Sequence, residues 1–294
     1  MKGDSATFAS SRSSSSEGRT RPEMEFTVTK LYYIPYIGVV SGLVGIITSY
    51  VIAVARGDVK PWLPYISDAG GDSPQSSIFS FSMIVVSFCF LVGVTLCHLI
   101  LLKRNIHGNM LVKWLNRLLL IAGVTTSSGM IILAVNPVGH LNRDGSWALT
   151  VFLPHMVGAV VMFTSGIGLM IILATCTTIL DYPDWKQRNF FVRCAAAVIG
   201  LVSGFLTIGY CPVGEMDKLK PLPDRARDYP PGAIVSAICE WIVVLTFLAF
   251  SLSFAAEFRK FKLCLRLEYR DVDGGAAPLP VKPDASPEKP GARD

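Results

Sequence analysis

Ile78–Leu102 reads IFSFSMIVVSFCFLVGVTLCHLILL and contains no Asp, Glu, Lys or Arg. A helix needs roughly 20 apolar residues to cross a hydrocarbon core of about 30 Å, so this stretch is long enough to span a bilayer. Five more stretches meet the same criterion: Ile34–Val54, Leu118–Val135, Thr150–Ala174, Cys194–Tyr210 and Ala233–Ala256. Lipid offers no partner to an exposed peptide group, so each stretch must be helical. Charged residues are 17% of the 294-residue chain, below the share of about 25% in soluble domains. Six such helices buried in a soluble core would need far more polar chain around them. The fold class that follows is an all-α integral membrane protein, a bundle of six transmembrane helices.

The charges that remain set the expected orientation. Twenty of the 27 Lys and Arg lie in the two tails and in the second and fourth loops; the first, third and fifth loops share the other seven. The positive-inside rule then puts both termini in the cytosol and the odd-numbered loops in the lumen or outside the cell. The formal net charge of +5 is accounted for by these flanking residues and gives no reason to expect nucleic acid as a partner. The first thirty residues are serine-rich and polar, with no cleavable signal peptide, and the first span is expected to act as the insertion signal. The expected organisation is a disordered serine-rich cytosolic tail over 1–30, a membrane domain over 31–262 and a disordered Pro/Gly-rich cytosolic tail over 263–294.

Two glycine pairs, Gly38/Gly42 and Gly200/Gly204, have the Gly-x-x-x-Gly spacing that lets helix backbones approach closely. Packing within the bundle and dimerisation both use such a stripe, and a six-helix bundle favours packing. Of the seven cysteines, Cys211 alone sits near the lumenal face, so a disulfide framework is not expected. The chain has no Asn-x-Ser/Thr site for N-glycosylation, and no His/Cys cluster has zinc spacing. There is no Gly-x-Ser-x-Gly elbow and no phosphate-cradling glycine loop. The sequence therefore calls for no metal, no cofactor and no enzyme activity.

Two blocks carry a family likeness. The first loop reads Pro61-Trp62-Leu63-Pro64-Tyr65-Ile66-Ser67-Asp68-Ala69-Gly70, followed by Pro74 and Ile78-Phe79; the last span opens Val235-Ser236-Ala237-Ile238-Cys239-Glu240-Trp241. Both resemble blocks of the DNA-damage-regulated autophagy modulator (DRAM) family, in the expected order and on the expected elements. The family-motif residues are Pro64, Tyr65, Ile66, Ser67, Asp68, Gly70, Ala237, Ile238, Cys239, Glu240 and Trp241. The resemblance implies a membrane protein of the lysosome or late endosome that promotes autophagy and influences cell death, with the plasma membrane or Golgi as alternative locations. The wider superfamily adds two further readings. One is lipid-headgroup handling of the type seen in FRAG proteins of GPI-anchor maturation; the other is organisation of a phosphoinositide kinase at the plasma membrane.

Glu240 stands out among individual residues as the one carboxylate within the six spans. An ionisable group at that depth faces the bundle interior or a wet cavity; it serves as a relay or ligand, or as a hydrogen-bonded pin. His155 enters the fourth span from the same side. It suits either an acidity sensor paired with Glu240 or an interfacial histidine bonded to a loop carbonyl. Asp68, ahead of Ala69-Gly70-Gly71, suits an Asx-turn; alternatively it joins His155 and Glu240 in a lumenal polar cluster. On the cytosolic side, Tyr269 and Val272 form a Tyr-x-x-hydrophobic sorting pattern for adaptor complexes, read as an extended peptide. Cys264, beside Arg259, Lys260, Lys262 and Arg266, is a palmitoylation candidate, although those basic residues also serve to set topology. The expected partners are membrane lipids, other membrane proteins and adaptors.

Overall fold

The computed structural model describes residues 24–139, 141–142, 144–181, 188–212, 220 and 229–267. Six long helices carry the fold: α1 (Tyr33–Arg56), α3 (Gln75–Arg104), α4 (Met110–Val135), α5 (Leu149–Asp181), α6 (Arg188–Gly209) and α7 (Pro231–Leu252). All six are long and apolar enough to cross a membrane. Two short helices, α2 (Ile66–Ala69) and α8 (Ala255–Phe258), lie before α3 and after α7.

The helices exceed the apolar stretches wherever a polar residue is compatible with helix. The sequence criterion starts the third span at Leu118, because Lys113 and Arg117 interrupt the apolar run. The helix itself starts at Met110, where the Asn109 side chain caps it by accepting from the Val112 amide at 3.2 Å. Likewise α5 runs on past Ala174 to Asp181, its Thr177 and Thr178 hydroxyls folding back onto carbonyls of the preceding turn.

Each long helix packs against the next, and α7 returns to α1, so the six close into a ring. Small residues set the close approaches. A side chain at Gly38 would meet Cys89 of α3 at 3.1 Å, and one at Gly45 would collide with Ser82. On α6, Gly200 and Gly204 are covered by Met170 and Ile167 of α5. Both glycine stripes therefore serve packing within the bundle. The tightest crossing joins α4 and α5, where a Cβ on Gly158 would lie 2.8 Å from the Gly129 carbonyl oxygen and 2.8 Å from the Leu133 amide nitrogen. Only glycine permits this backbone-to-backbone contact.

Of the described residues, 24–28 and 263–267 belong to a unit separate from the bundle. Within it β1 (Met24–Val28) pairs antiparallel with β2 (Leu263–Leu267), Thr27 opposite Cys264. The sequence reading assigns both segments to disordered tails. β1 departs from that description because Phe26, Thr27 and Val28 favour a ladder, and β2 because its leucines and cysteine make an apolar run that pairs with β1.

Candidate functional site

The first loop turns back into the end of the bundle. Its Ile66 amide donates to Glu240 Oε2 at 2.8 Å, and the Trp241 indole Nε1 donates to the Pro64 carbonyl at 2.8 Å. These two bonds tie segments 174 and 177 residues apart. They join the two blocks that carry the family likeness and hold α2 against α7. Glycine makes the turn possible: a Cβ on Gly70 would strike the Phe79 ring, and one on Gly71 would strike the Val138 carbonyl. Tyr50 of α1 adds a third tie, donating its hydroxyl to the Pro61 carbonyl at 2.5 Å and meeting the Trp241 ring edge-on.

Behind this loop lies a cavity of about 240 Å³ whose lining includes Asp68, His155 and Glu240. Each of the three reaches it by a different route. Asp68 is carried in by α2; its carboxylate accepts from the hydroxyl of Tyr229, two residues before α7, and the turn behind it closes through the Gly71 amide and Asp68 carbonyl at 3.1 Å. The Tyr229 ring packs on Tyr65, centroids 5.6 Å apart. His155 lies one turn before the Gly129–Gly158 crossing, and that contact brings its Nδ1 within 2.7 Å of the Asn136 carbonyl and 3.2 Å of the Leu133 carbonyl. Both partners are acceptors, so Nδ1 carries the proton and the lone pair of a neutral ring is on Nε2. Glu240 uses Oε2 for Ile66, and among the described residues its Oε1 has no hydrogen-bond partner. Asp68 is within electrostatic reach of both other groups.

The remaining wall is chiefly apolar, with Ile46, Phe79, Met83, Met162 and Phe163 among its residues. Two further enclosed polar atoms on it, the Tyr65 hydroxyl and the Trp147 indole nitrogen, make no hydrogen bond of good geometry among the described residues. The Ser236 hydroxyl near Tyr65 donates instead to the Thr207 carbonyl at 2.6 Å. Burial holds the Tyr65 phenol well above its usual range. It also raises the Cys211 thiol just past the end of α6, with the nearby Glu240 carboxylate adding to the shift. Among the described residues no group of His, Cys, Asp or Glu is arranged to hold a metal ion.

The far end of the bundle holds a charged cluster that sequence reading does not identify. Arg193 of α6 is 2% exposed. It donates to Glu257 Oε2 at 2.5 Å and to the Ser253 carbonyl at 3.1 Å, and its guanidinium lies 3.7 Å from the centre of the Phe254 ring. Glu257 also accepts from Arg104 at 3.3 Å, and Arg104 in turn pairs with Asp181. The cluster clasps α3, α5, α6 and α8 together. In sequence these residues look like ordinary charges at helix ends.

Cys264 is exposed on β2, its sulfur 3.7 Å from the Thr27 hydroxyl. Tyr269 and Val272 lie outside the described residues.

Comparison with known proteins extends over the same membrane domain. Residues 30–261 match the family model described as the Frag1/DRAM/Sfk1/Cwh43P N-terminal domain. The chain is 29% identical over 239 residues to DNA damage-regulated autophagy modulator protein 1 of Homo sapiens, covering 80% of this chain and 94% of that protein. The Xenopus laevis protein of the same name is 26% identical over 247 residues, covering 81% and 95%. DNA damage-regulated autophagy modulator protein 2 of Homo sapiens is 24% identical over 245 residues, covering 79% and 86%. No solved structure matches. With six apolar helices in the matched region and the two family blocks bonded to each other, this chain belongs to the Frag1/DRAM family of multi-span membrane proteins.

Proposed function

We propose that this protein resides in the membrane of the lysosome or late endosome and modulates autophagy, without enzymatic activity, by binding a lipid or a membrane partner at the cavity beneath its first loop. The relatives' names supply the link to autophagy. One observation supports the cavity as the working part: Asp68 and Glu240, one from each family block, line the same cavity, with the first block bonded directly to the second. In this reading both chain ends face the cytosol, in keeping with the concentration of Lys and Arg in the tails and even-numbered loops. Adaptors then read Tyr269 and Val272, Cys264 takes a palmitoyl group, and lipids and other membrane proteins are the partners. A second reading, handling of a lipid headgroup at the first-loop end, draws on the same three polar side chains.

The test is rescue of autophagic flux in cells lacking the protein. Wild-type chain restores flux and overlaps a lysosomal marker; Ala159→Leu, which fills the cavity wall, reaches the same membrane and restores little. Unaltered flux in the knockout, or full rescue by the filled variant, contradicts the proposal. The sorting element is tested by Tyr269→Ala, expected to accumulate at the cell surface.

A further inference from the structure

We infer that the two-stranded ribbon of β1 and β2 is a membrane-interface element, its apolar face laid on the lipid bilayer at the boundary of headgroups and acyl chains, on the side of the two chain ends.

The two faces of the ribbon differ in chemistry. Directly opposed residues of an antiparallel pair point to the same side, and successive residues alternate. The register sets Phe26 opposite Leu265 and Val28 opposite Leu263, with Leu267 two residues further along β2. One face therefore carries Phe26, Val28, Leu263, Leu265 and Leu267. The other carries Glu25 opposite Arg266 and Thr27 opposite Cys264, and the Cys264 sulfur lies 3.7 Å from the Thr27 hydroxyl, as two side chains on one side must. The apolar face is open: Phe26 is 63% exposed, Leu265 53% and Leu267 70%. A lone two-stranded ribbon is marginal in water and gains stability when its apolar face is packed against something, and a contiguous exposed apolar patch marks an interaction surface.

Reach, area and edges select lipid as the cover. β1 ends at Val28 and the first span starts at Tyr33; the last apolar span ends at Phe258 and β2 starts at Leu263. Each link extends at most about 18 Å, so the chain tethers both strands to membrane-spanning helices. The links carry Lys30, Arg259, Lys260 and Lys262 and no carboxylate, a composition suited to chain at the level of the lipid phosphates. The apolar face is five side chains on a ribbon of two five-residue strands, against the roughly 20–30 residues a side of a stable protein interface; a second copy gains too little there to hold. Among the described residues the sheet has two strands only, so each strand has an outer row of N–H and C=O groups outside the ladder. Those groups bar the ribbon from the hydrocarbon core but are satisfied by water and headgroups at the interface, where an amphipathic element lies flat with its apolar face about 5–10 Å into the boundary. The ladder pairs a segment before the first span with one after the last, so it gathers both chain ends at one membrane surface. The palmitoyl group proposed for Cys264, on the polar face, reaches the bilayer round the open edge of β2.

The test is photo-crosslinking of the full chain, produced without acylation and reconstituted in nanodiscs of phosphatidylcholine and phosphatidylserine. The photoreactive residue p-benzoylphenylalanine replaces Leu265 on the apolar face or Arg266 on the polar face, and adducts are identified by mass spectrometry. Phospholipid adducts are expected at least about tenfold more abundantly from position 265 than from 266, since only the apolar face enters the acyl boundary. Should the probe at 265 disturb the ladder, the same pair of measurements on β1 uses Phe26, where the native ring is kept and merely extended, against Thr27. Lipid adducts in equal yield from the two faces overturn the inference. So do adducts from Phe26 or Leu265 positions that run to a second copy of the chain, or to peptides of the same chain, in place of lipid.

Discussion

Replacing Glu240 by Ala and by Gln separates the two things that side chain does. In the native chain Oε2 accepts from the buried Ile66 amide at 2.8 Å. Alanine removes the acceptor and strands that amide. A buried hydrogen bond to a charged group contributes about 1.5–3 kcal/mol, and the stranded donor has no other partner in the first loop. Asp68 stands close enough to Glu240 to repel it, and both substitutions relieve that repulsion, so it cancels in the comparison. Glutamine keeps an acceptor for Ile66 and is expected to cost less than about 1 kcal/mol. Thermal unfolding of the full chain in one detergent is the assay. At about 2–4 °C per kcal/mol, Glu240→Ala should melt roughly 3–12 °C below wild type and Glu240→Gln within about 4 °C of it. Equal Tm values for the two variants would refute the argument that Glu240 pins the first loop.

Other consequences are local. Gly158→Val puts a branched side chain where Gly129 and Leu133 present backbone; overpacking should cost about 1–3 kcal/mol or more, seen as a lower Tm that Gly168→Val, in open space, does not share. Arg193→Leu leaves Glu257 with one cation in place of two, and breaking a buried pair costs about 3–5 kcal/mol; the double variant with Glu257→Leu should lose less than the sum of the singles in a thermal-melt cycle. Burial holds the Cys211 thiol above its usual range while Cys264 is exposed, so maleimide should modify Cys211 more slowly than Cys264 at neutral pH and gain on it as pH rises. The Tyr65 phenol, raised by burial, should ionise after the exposed tyrosines in an ultraviolet titration. A folded-state shift upward stabilises the native chain below the unfolded value near pH 10, and that contribution disappears as pH climbs through the folded value.

The spans were legible because a hydrocarbon-length apolar run has few alternatives. Their ends were not, because Lys113 and Arg117 interrupt the apolar run without interrupting the helix. Glu240 was legible as an ionisable group in a greasy segment; its partner was not, since the Ile66 amide is backbone and carries no signature. The closeness of Asp68, His155 and Glu240 depended on two facts outside any motif: the first loop folds inward on Gly70 and Gly71, and α4 and α5 touch backbone to backbone at Gly129 and Gly158. The Asx-turn expected at Asp68 gave way to a bond from Tyr229, 161 residues distant, which only the folded chain reveals. Arg193 and Glu257 escaped notice because charges at helix ends ordinarily read as topology signals.

The first loop and the last span meet and close a polar cavity. An experimental structure of the full chain in lipid, by electron cryomicroscopy, tests it directly. The Glu240 carboxylate is expected within hydrogen-bond distance of the Ile66 amide, the Trp241 indole on the Pro64 carbonyl, and His155 and Asp68 on the same cavity wall. A first loop lifted off the bundle, with Glu240 facing the acyl chains, would contradict it.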